Sequence, residues 1–204
     1  MQLSDFKAYL VGRENANLTG QDANLIDALN SASREIESHC RRQFNDAGSV
    51  TAREFRPDMA RSARVDDFST TAGLVVKLDT NLDGTFATTL TSAQYELSPA
   101  NGIVDGVPGW PYCRIRLTDN SISFPYSASS GRERVLQVTA RWGWTEVPEP
   151  VRAACRIMAA ETWKLKDAPL GVSGLDEFGA VIRVRQNKLA ASKLAPYARR
   201  LLLD

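Results

Sequence analysis

The stretch TGQDANLIDALNSASREIESHCRRQF, from Thr19 to Phe44, decides how this chain is read. Its apolar positions Leu25, Leu29, Ala32, Ile36 and Cys40, joined by Ile26, recur in steps of three and four. That spacing lays one apolar stripe along an α-helix. Arg34, Glu35, Glu37, Arg41 and Arg42 fall mostly off the stripe and face water or partners. Thr19 followed by Asp22 resembles a capping box, with the shorter aspartate in place of Glu or Gln. Basic residues at the far end suit the helix dipole. A stripe of this kind must be covered, and the segment suited to cover it lies far along the chain. Arg141-Trp142-Gly143-Trp144-Thr145-Glu146-Val147-Pro148 opens a second amphipathic helix, with Pro148 and Pro150 tolerated in its first turn. Its inner face reads Val151, Ala154, Cys155, Met158, Ala159, Thr162 and Trp163. Each helix is the expected partner of the other, which makes everything between them an insertion.

That insertion reads as β. The candidate strands are Ala52–Phe55, Arg64–Asp66, Gly73–Leu78, Thr85–Thr91, Tyr95–Leu97, Arg114–Leu117 and Val135–Trp142. Asn81-Leu82-Asp83-Gly84 reads as a hairpin turn. Pro99–Gly102, Pro108–Pro111 and Ser127–Gly131 read as loops. Upstream, Ser4–Val11 is a short helix capped by Ser4, with Phe6, Tyr9 and Leu10 on one side. Downstream, Asp167-Ala168-Pro169 stops the second helix, and Gly171, Gly174 and Gly179 mark a flexible loop. Lys188–Leu203 forms a last helix interrupted near Pro196. The expected fold class is α+β, a small helical bundle with an inserted antiparallel β domain, either sandwich or open barrel. Residues 1–48 and 146–170 supply the two parts of the helical domain and 49–145 the β domain. Residues 171–204 supply a flexible loop and a C-terminal docking arm or helix.

Composition narrows the function more than it names it. The chain has 204 residues and a net charge of +1, with 25 Lys+Arg against 24 Asp+Glu. A dedicated nucleic-acid binder is normally basic overall. Cys40, Cys113 and Cys155 are odd in number and widely spaced, and His39 is the single histidine. No zinc site follows from that set, and reduced structural thiols fit a reducing compartment. Met1-Gln2-Leu3-Ser4-Asp5 lacks the basic and apolar regions of a signal peptide. No apolar run approaches the roughly 18 residues of a membrane span. The expectation is a soluble protein used without secretion.

Recognisable catalytic patterns are missing from the sequence. His39 neighbours Cys40 on a helix, so the two side chains diverge rather than face each other. Asp79-Thr80-Asn81-Leu82-Asp83-Gly84 superficially resembles a calcium loop, but Leu90 stands where an EF-hand needs an acid. There is no Walker-type phosphate loop and no Rossmann glycine fingerprint. Asp66-Asp67 invites a hydrolase reading. Trp110, Tyr112, Trp142 and Trp144 invite a carbohydrate- or receptor-binding reading against the plainer one of β-core packing. The last segment, Val181 to Asp204, holds six basic residues, Arg183, Arg185, Lys188, Lys193, Arg199 and Arg200, against the one acid Asp204. It reads either as a solvated helix face or as a docking arm for an acidic partner. The alternation Val181–Arg185 also suits strand addition to a neighbouring chain.

Taken in order, several segments carry a family resemblance. They are Asp22–Ser33 leading to the helix end Ile36–Phe44, then Gln94–Pro99, Val138–Trp144, Val147–Ala154 and Phe178–Arg183. Together they resemble the head–tail connector (adaptor) proteins of long-tailed bacteriophages. The long β insertion departs from compact members of that family, which look nearly all-helical. The resemblance implies a virion protein without enzymatic activity or cofactor, placed at the neck and assembled in the host cytoplasm. It implies a homo-oligomeric ring, usually dodecameric, beneath the portal protein. Such a ring extends the DNA channel and offers a platform for a stopper or tail-completion protein. Packaged DNA then passes through without sequence-specific binding, and no membrane is involved. Val181, Arg183, Arg185, Lys188, Lys193, Arg199 and Arg200 become the candidate portal-docking residues.

Overall fold

A computed structural model of the chain describes residues 2–14, 18–125, 131–164 and 187–199. Among these, four α-helices and seven strands in two antiparallel sheets make an α+β fold with no closed barrel. The contacts divide the chain into two compact units: 1–42 with 147–204, and 43–146.

The first unit is helical. Helix α1 spans Leu3–Glu14, α2 Asp22–Cys40, α3 Glu149–Lys164 and α4 Lys188–Leu194. α2 buries Leu25, Ala28, Leu29, Ala32, Ile36 and Cys40, the stripe read from periodicity with Ala28 added. Ile26 is the exception, 43% exposed, because its position turns it off the stripe. α2 packs on α3, whose buried residues are Val151, Ala154, Cys155, Ala159 and Ala160. The alanines let the two backbones approach, and Ser33 Oγ on α2 meets Cys155 Sγ on α3 at 3.6 Å. α1 adds Phe6 and Leu10, both fully buried.

The ends of α2 differ from the sequence reading. Gly20 turns the chain at φ +72, so the helix begins only at Asp22. Gln21 is its N-cap and no side chain caps it, so Thr19 does not close a capping box there. At the other end Arg41 takes the left-handed conformation (φ 52, ψ 41), and its N–H donates to Glu37 O. That turn ends the helix at Cys40, and Phe44 leaves for the second unit.

The second unit is a two-sheet sandwich. The strands are β1 (Val50–Phe55), β2 (Ser62–Phe68), β3 (Val75–Leu78), β4 (Thr88–Leu90), β5 (Tyr95–Ser98), β6 (Tyr112–Leu117) and β7 (Leu136–Arg141). One sheet has the order β1-β7-β3-β4 and the other β2-β6-β5. β7 is central because it pairs along its length with β1 and also with β3. The inward residues of both sheets form one core, with Val65, Phe68, Val76, Leu78, Ile115, Leu136, Val138 and Trp142 at its centre. A bridge between Phe68 and Trp142 links the sheets at one corner. All seven strands expected from the sequence form, with shifted ends. The largest shift is in β4, which has only Thr88–Leu90 because residues 79–87 are taken up by the hairpin loop.

Candidate functional site

The carboxylate candidates are committed to structure. Consecutive strand residues point to opposite faces, and Asp66 and Asp67 follow that rule. Asp66 faces Arg53 at 2.7 Å. Asp67 is 2% exposed and accepts a hydrogen bond from Trp144 Nε1 at 3.0 Å. Two carboxylates on opposite faces do not share a substrate, so they cannot act as an acid–base pair. Asp79 is fully buried. Its Oδ1 accepts from the Asp83 N–H at 3.1 Å, its Oδ2 from the Gly84 N–H at 2.8 Å, and Arg132 Nε lies 3.0 Å from Oδ2. The loop that resembles a calcium site is thus closed by backbone N–H groups and a guanidinium around one acid. Among the described residues no group of three or more His, Cys, Asp and Glu side chains is placed to hold a metal ion.

Two of the three thiols, Cys40 and Cys155, are buried. Burial pushes Cys40 up to about 11, against the opposing charge of Arg42. Burial also raises Cys155, despite its contact with Ser33. A nucleophilic cysteine needs the opposite, a thiol brought down toward neutrality. His39 is exposed on α2 and its neighbour Cys40 is buried, so the two face different surroundings.

The aromatic residues pack on one another. Trp142 is fully buried and donates from Nε1 to Thr51 O at 2.9 Å. Phe55 lies 5.5 Å from it, Phe68 meets it edge-on at 6.0 Å, and the Arg53 guanidinium sits 4.7 Å over the ring. Trp144 is 3% exposed between Phe44 at 5.5 Å and Trp110 at 5.3 Å. Neither Trp142 nor Trp144 offers a free face to a sugar or a base.

What these rings build is a clasp where the chain enters and leaves the second unit. Gly143 lies between the two tryptophans at φ +100, and a Cβ there would stand 1.9 Å from Asn45 O. The Ala47 N–H donates to Trp142 O at 2.8 Å, and the Gly143 N–H to Asp67 O at 2.7 Å. Arg141 grips Asp46 with two hydrogen bonds, one of them 2.9 Å from Nε. The Arg141 guanidinium, helped by the Gly48 N–H, holds the Asp46 carboxyl below the usual range. The Trp-Gly-Trp spelling is the signal in the sequence: a glycine flanked by two large rings marks a backbone crossing.

Of the candidate docking residues, Val181, Arg183, Arg185 and Arg200 lie outside the described residues, as do the stop at Asp167–Pro169, the glycine loop and the end of the last helix. The remainder is not a free arm. α4 buries Ala190 and Leu194 and packs on α3. Asn187 caps it, accepting from the Ala190 N–H at 3.0 Å and donating to Glu161. Arg42 Nε donates to Tyr197 O at 2.7 Å, and the Arg199 N–H to Cys40 O at 3.0 Å. Apolar burial therefore makes residues 188–199 part of the helical unit. Lys188 is exposed, and Lys193 and Arg199 are half-buried.

The fold defines a class of two-unit α+β chain. No protein-family model matches the sequence, and no curated protein matches it. Solved structures do share the fold. One is a chain from the neck of an empty gene transfer agent (GTA) particle computed with C6 symmetry, with a TM-score of 0.57 and 18% identity. Another is from the virion of the native GTA particle, with a TM-score of 0.57 and 16% identity. In each case the match covers 100% of this chain and 92% of the other.

Proposed function

We propose that this chain is a structural protein of a phage-type virion and acts at the neck as a head-to-tail connector (adaptor). The observation that carries the proposal is the full-length fold likeness to a GTA neck chain, including the β unit. That likeness answers the departure noted in the sequence, since the β insertion is part of the shared fold. In this reading the chain forms a ring below the portal that extends the DNA channel and carries the stopper or tail. Sixfold symmetry in the neighbour's particle fits a ring of six or of twelve copies, because a twelvefold ring contains sixfold symmetry. The near-zero net charge limits repulsion between ring neighbours and sticking to passing DNA. The chain performs no catalysis in this reading. Among the described residues, Asp66 and Asp67 lie on opposite faces, Asp79 is paired with Arg132, and Cys40 and Cys155 are buried. Portal docking by Val181, Arg183, Arg185, Lys188, Lys193, Arg199 and Arg200 is part of the proposal, with Lys188 exposed and Lys193 and Arg199 half-buried as its described members.

Particles produced without this protein and imaged by negative stain are expected to show DNA-filled heads lacking tails, or heads that have leaked. Normal tailed particles in its absence overturn the proposal. Trp142 and Trp144 are buried and give the carbohydrate-binding alternative no support, while Trp110 and Tyr112, on which it rests, are half-buried against Trp144 and Phe68.

A further inference from the structure

The loop between β5 and β6 holds two dipeptides prone to spontaneous backbone chemistry. They are Asn101–Gly102 and Asp105–Gly106, and a third such step, Asp83–Gly84, lies in the hairpin loop before β4. In these steps the glycine nitrogen can attack the preceding side-chain Cγ, because no glycine side chain hinders it. A C–N bond forms, the nitrogen gives its proton to water, and ammonia leaves from Asn or water from the neutral acid of Asp. Water then opens the succinimide ring at either carbonyl, giving aspartate or isoaspartate. The ring closes only when the nitrogen and the Cβ stand on the same side of the Cα–C bond. Sequence alone puts Asn101 first: an amide reacts as it stands, whereas a free carboxyl is mostly ionised near neutrality and must first gain a proton.

The backbone reverses that order. Asn101 sits at φ 55, ψ 18, which holds the Gly102 nitrogen on the far side of the Cα–C bond from Cβ. Bringing it round means flipping the 101–102 peptide, and that peptide is tied. The Gly102 N–H donates to Pro99 O at 3.1 Å, and Gly102 O accepts from the Trp110 N–H at 2.9 Å. Gly102 is buried, and a Cβ there would lie 2.8 Å from Trp110 O. Trp110 in turn leans on Trp144. Asp83–Gly84 is tied as well: the Gly84 N–H donates to Asp79 Oδ2 at 2.8 Å, and Asp83 Oδ1 accepts from the Thr85 N–H at 2.7 Å.

Asp105 and Gly106 form the tip of the β5–β6 loop, between Val104 and Val107, which exchange backbone hydrogen bonds of 3.0 and 2.9 Å. They turn at φ 51 and 79, both positive as a type I′ turn requires. Both are exposed, and the space a Gly106 Cβ would fill is open. Among the described residues none accepts a hydrogen bond from the Gly106 N–H. Flipping the single peptide between them turns a type I′ turn into type II′, which hairpins also use, so the Val104–Val107 bonds survive the motion. In type II′, the mirror of type II, the first central residue has ψ of about −120°, the value that brings the nitrogen and Cβ together.

We propose that Asp105 is a site of spontaneous isoaspartate formation and that the fold shields Asn101. The proposal does not depend on the connector reading. An isoaspartate carries an extra backbone carbon between Val104 and Val107, so their paired hydrogen bonds lose register. The modification therefore reshapes a tip flanked by the exposed Ile103 and Val107.

The test uses the purified full-length chain, kept warm at neutral pH and read by peptide mapping that separates asparagine, aspartate and isoaspartate. In the folded natural chain isoaspartate is expected to build up at Asp105 while Asn101 keeps its amide. In urea the order reverses. Asp105→Asn makes the comparison chemically even, with an Asn-Gly pair at both places and one that suits a type I′ turn at the tip. In the folded variant, position 105 is expected to deamidate about a hundredfold faster than Asn101, which must wait for the loop to open. In urea the two rates converge. Asn101 reacting first in the folded natural chain, or equal rates in the folded variant, overturns the proposal. So does an unchanged Asp105 in the folded natural chain once the unfolded chain has reacted at both positions. Circular dichroism before and after incubation checks that the fold persists.

Discussion

The helical and β units are stabilised by different chemistry. The helical unit is closed by small aliphatic contacts: alanines on α2 and α3, with Leu25, Ile36, Phe6 and Leu10 filling the space. The β unit adds buried polar groups that each have a partner, Asp67 with Trp144, Asp79 with Arg132 and two backbone N–H groups, and Trp142 with Thr51. Aliphatic packing tolerates small adjustments, whereas a buried polar group that loses its partner bears the full cost of desolvation. The helical unit is therefore sensitive to volume and the β unit to partner loss.

The sharpest way to break that contrast is Gly143→Ala. The new Cβ would overlap Asn45 O in a backbone region that L residues avoid. A loss of about 4 kcal/mol is expected from strain and overpacking together, read as a fall in the urea midpoint of tryptophan fluorescence. An unchanged midpoint shows that the clasp gives way easily.

Leu25→Ala probes the helical side and is expected to cost about 3 kcal/mol. Three of the four tryptophans, Trp110, Trp142 and Trp144, belong to the β unit. Helical circular dichroism should therefore lose stability while the fluorescence midpoint holds. Both midpoints moving together would mean that the units unfold as one body.

Asp79→Asn keeps the shape but loses the charge facing Arg132 and one acceptor for the loop N–H groups. About 2 kcal/mol is expected, with the 79–87 loop becoming sensitive to proteolysis. Bound calcium that protects the natural protein in the same assay contradicts the reading of a loop closed without a cation.

The smallest effect belongs to Asp46. Its carboxyl is held low in the folded protein by Arg141. A depressed folded value contributes stability above the unfolded value, near about 4. That contribution is lost as pH falls toward the lower folded value. Urea midpoints of the natural protein should decline through this acid window, and Asp46→Asn should flatten part of the decline. An identical pH profile in the variant removes the clasp from the account.

Much of this was legible beforehand, unevenly. The stripe Leu25, Leu29, Ala32, Ile36 and Cys40 could be read because helical contacts recur at fixed spacing, and its partner Val151–Ala159 for the same reason. Strand existence was legible from alternation. The ends of α2 were not, because Gly20 and the left-handed Arg41 override the local capping pattern. The packed state of residues 188–199 was also hidden, since six basic residues in a row of short segments look like a solvent-exposed arm until Ala190 and Leu194 find α3.

Periodicity, turn chemistry and composition by themselves determined that two distant helices need each other and that the region between them is β. They also determined that no familiar reaction centre is spelled out. Those are properties of residues close in the chain. Tertiary structure alone decided which strands became neighbours in two sheets, that Asp66 and Asp67 part company, and that Trp142, Gly143 and Trp144 clasp residues 45–47. Those outcomes depend on pairings between residues far apart in the chain, and only the closed core selects one register among many.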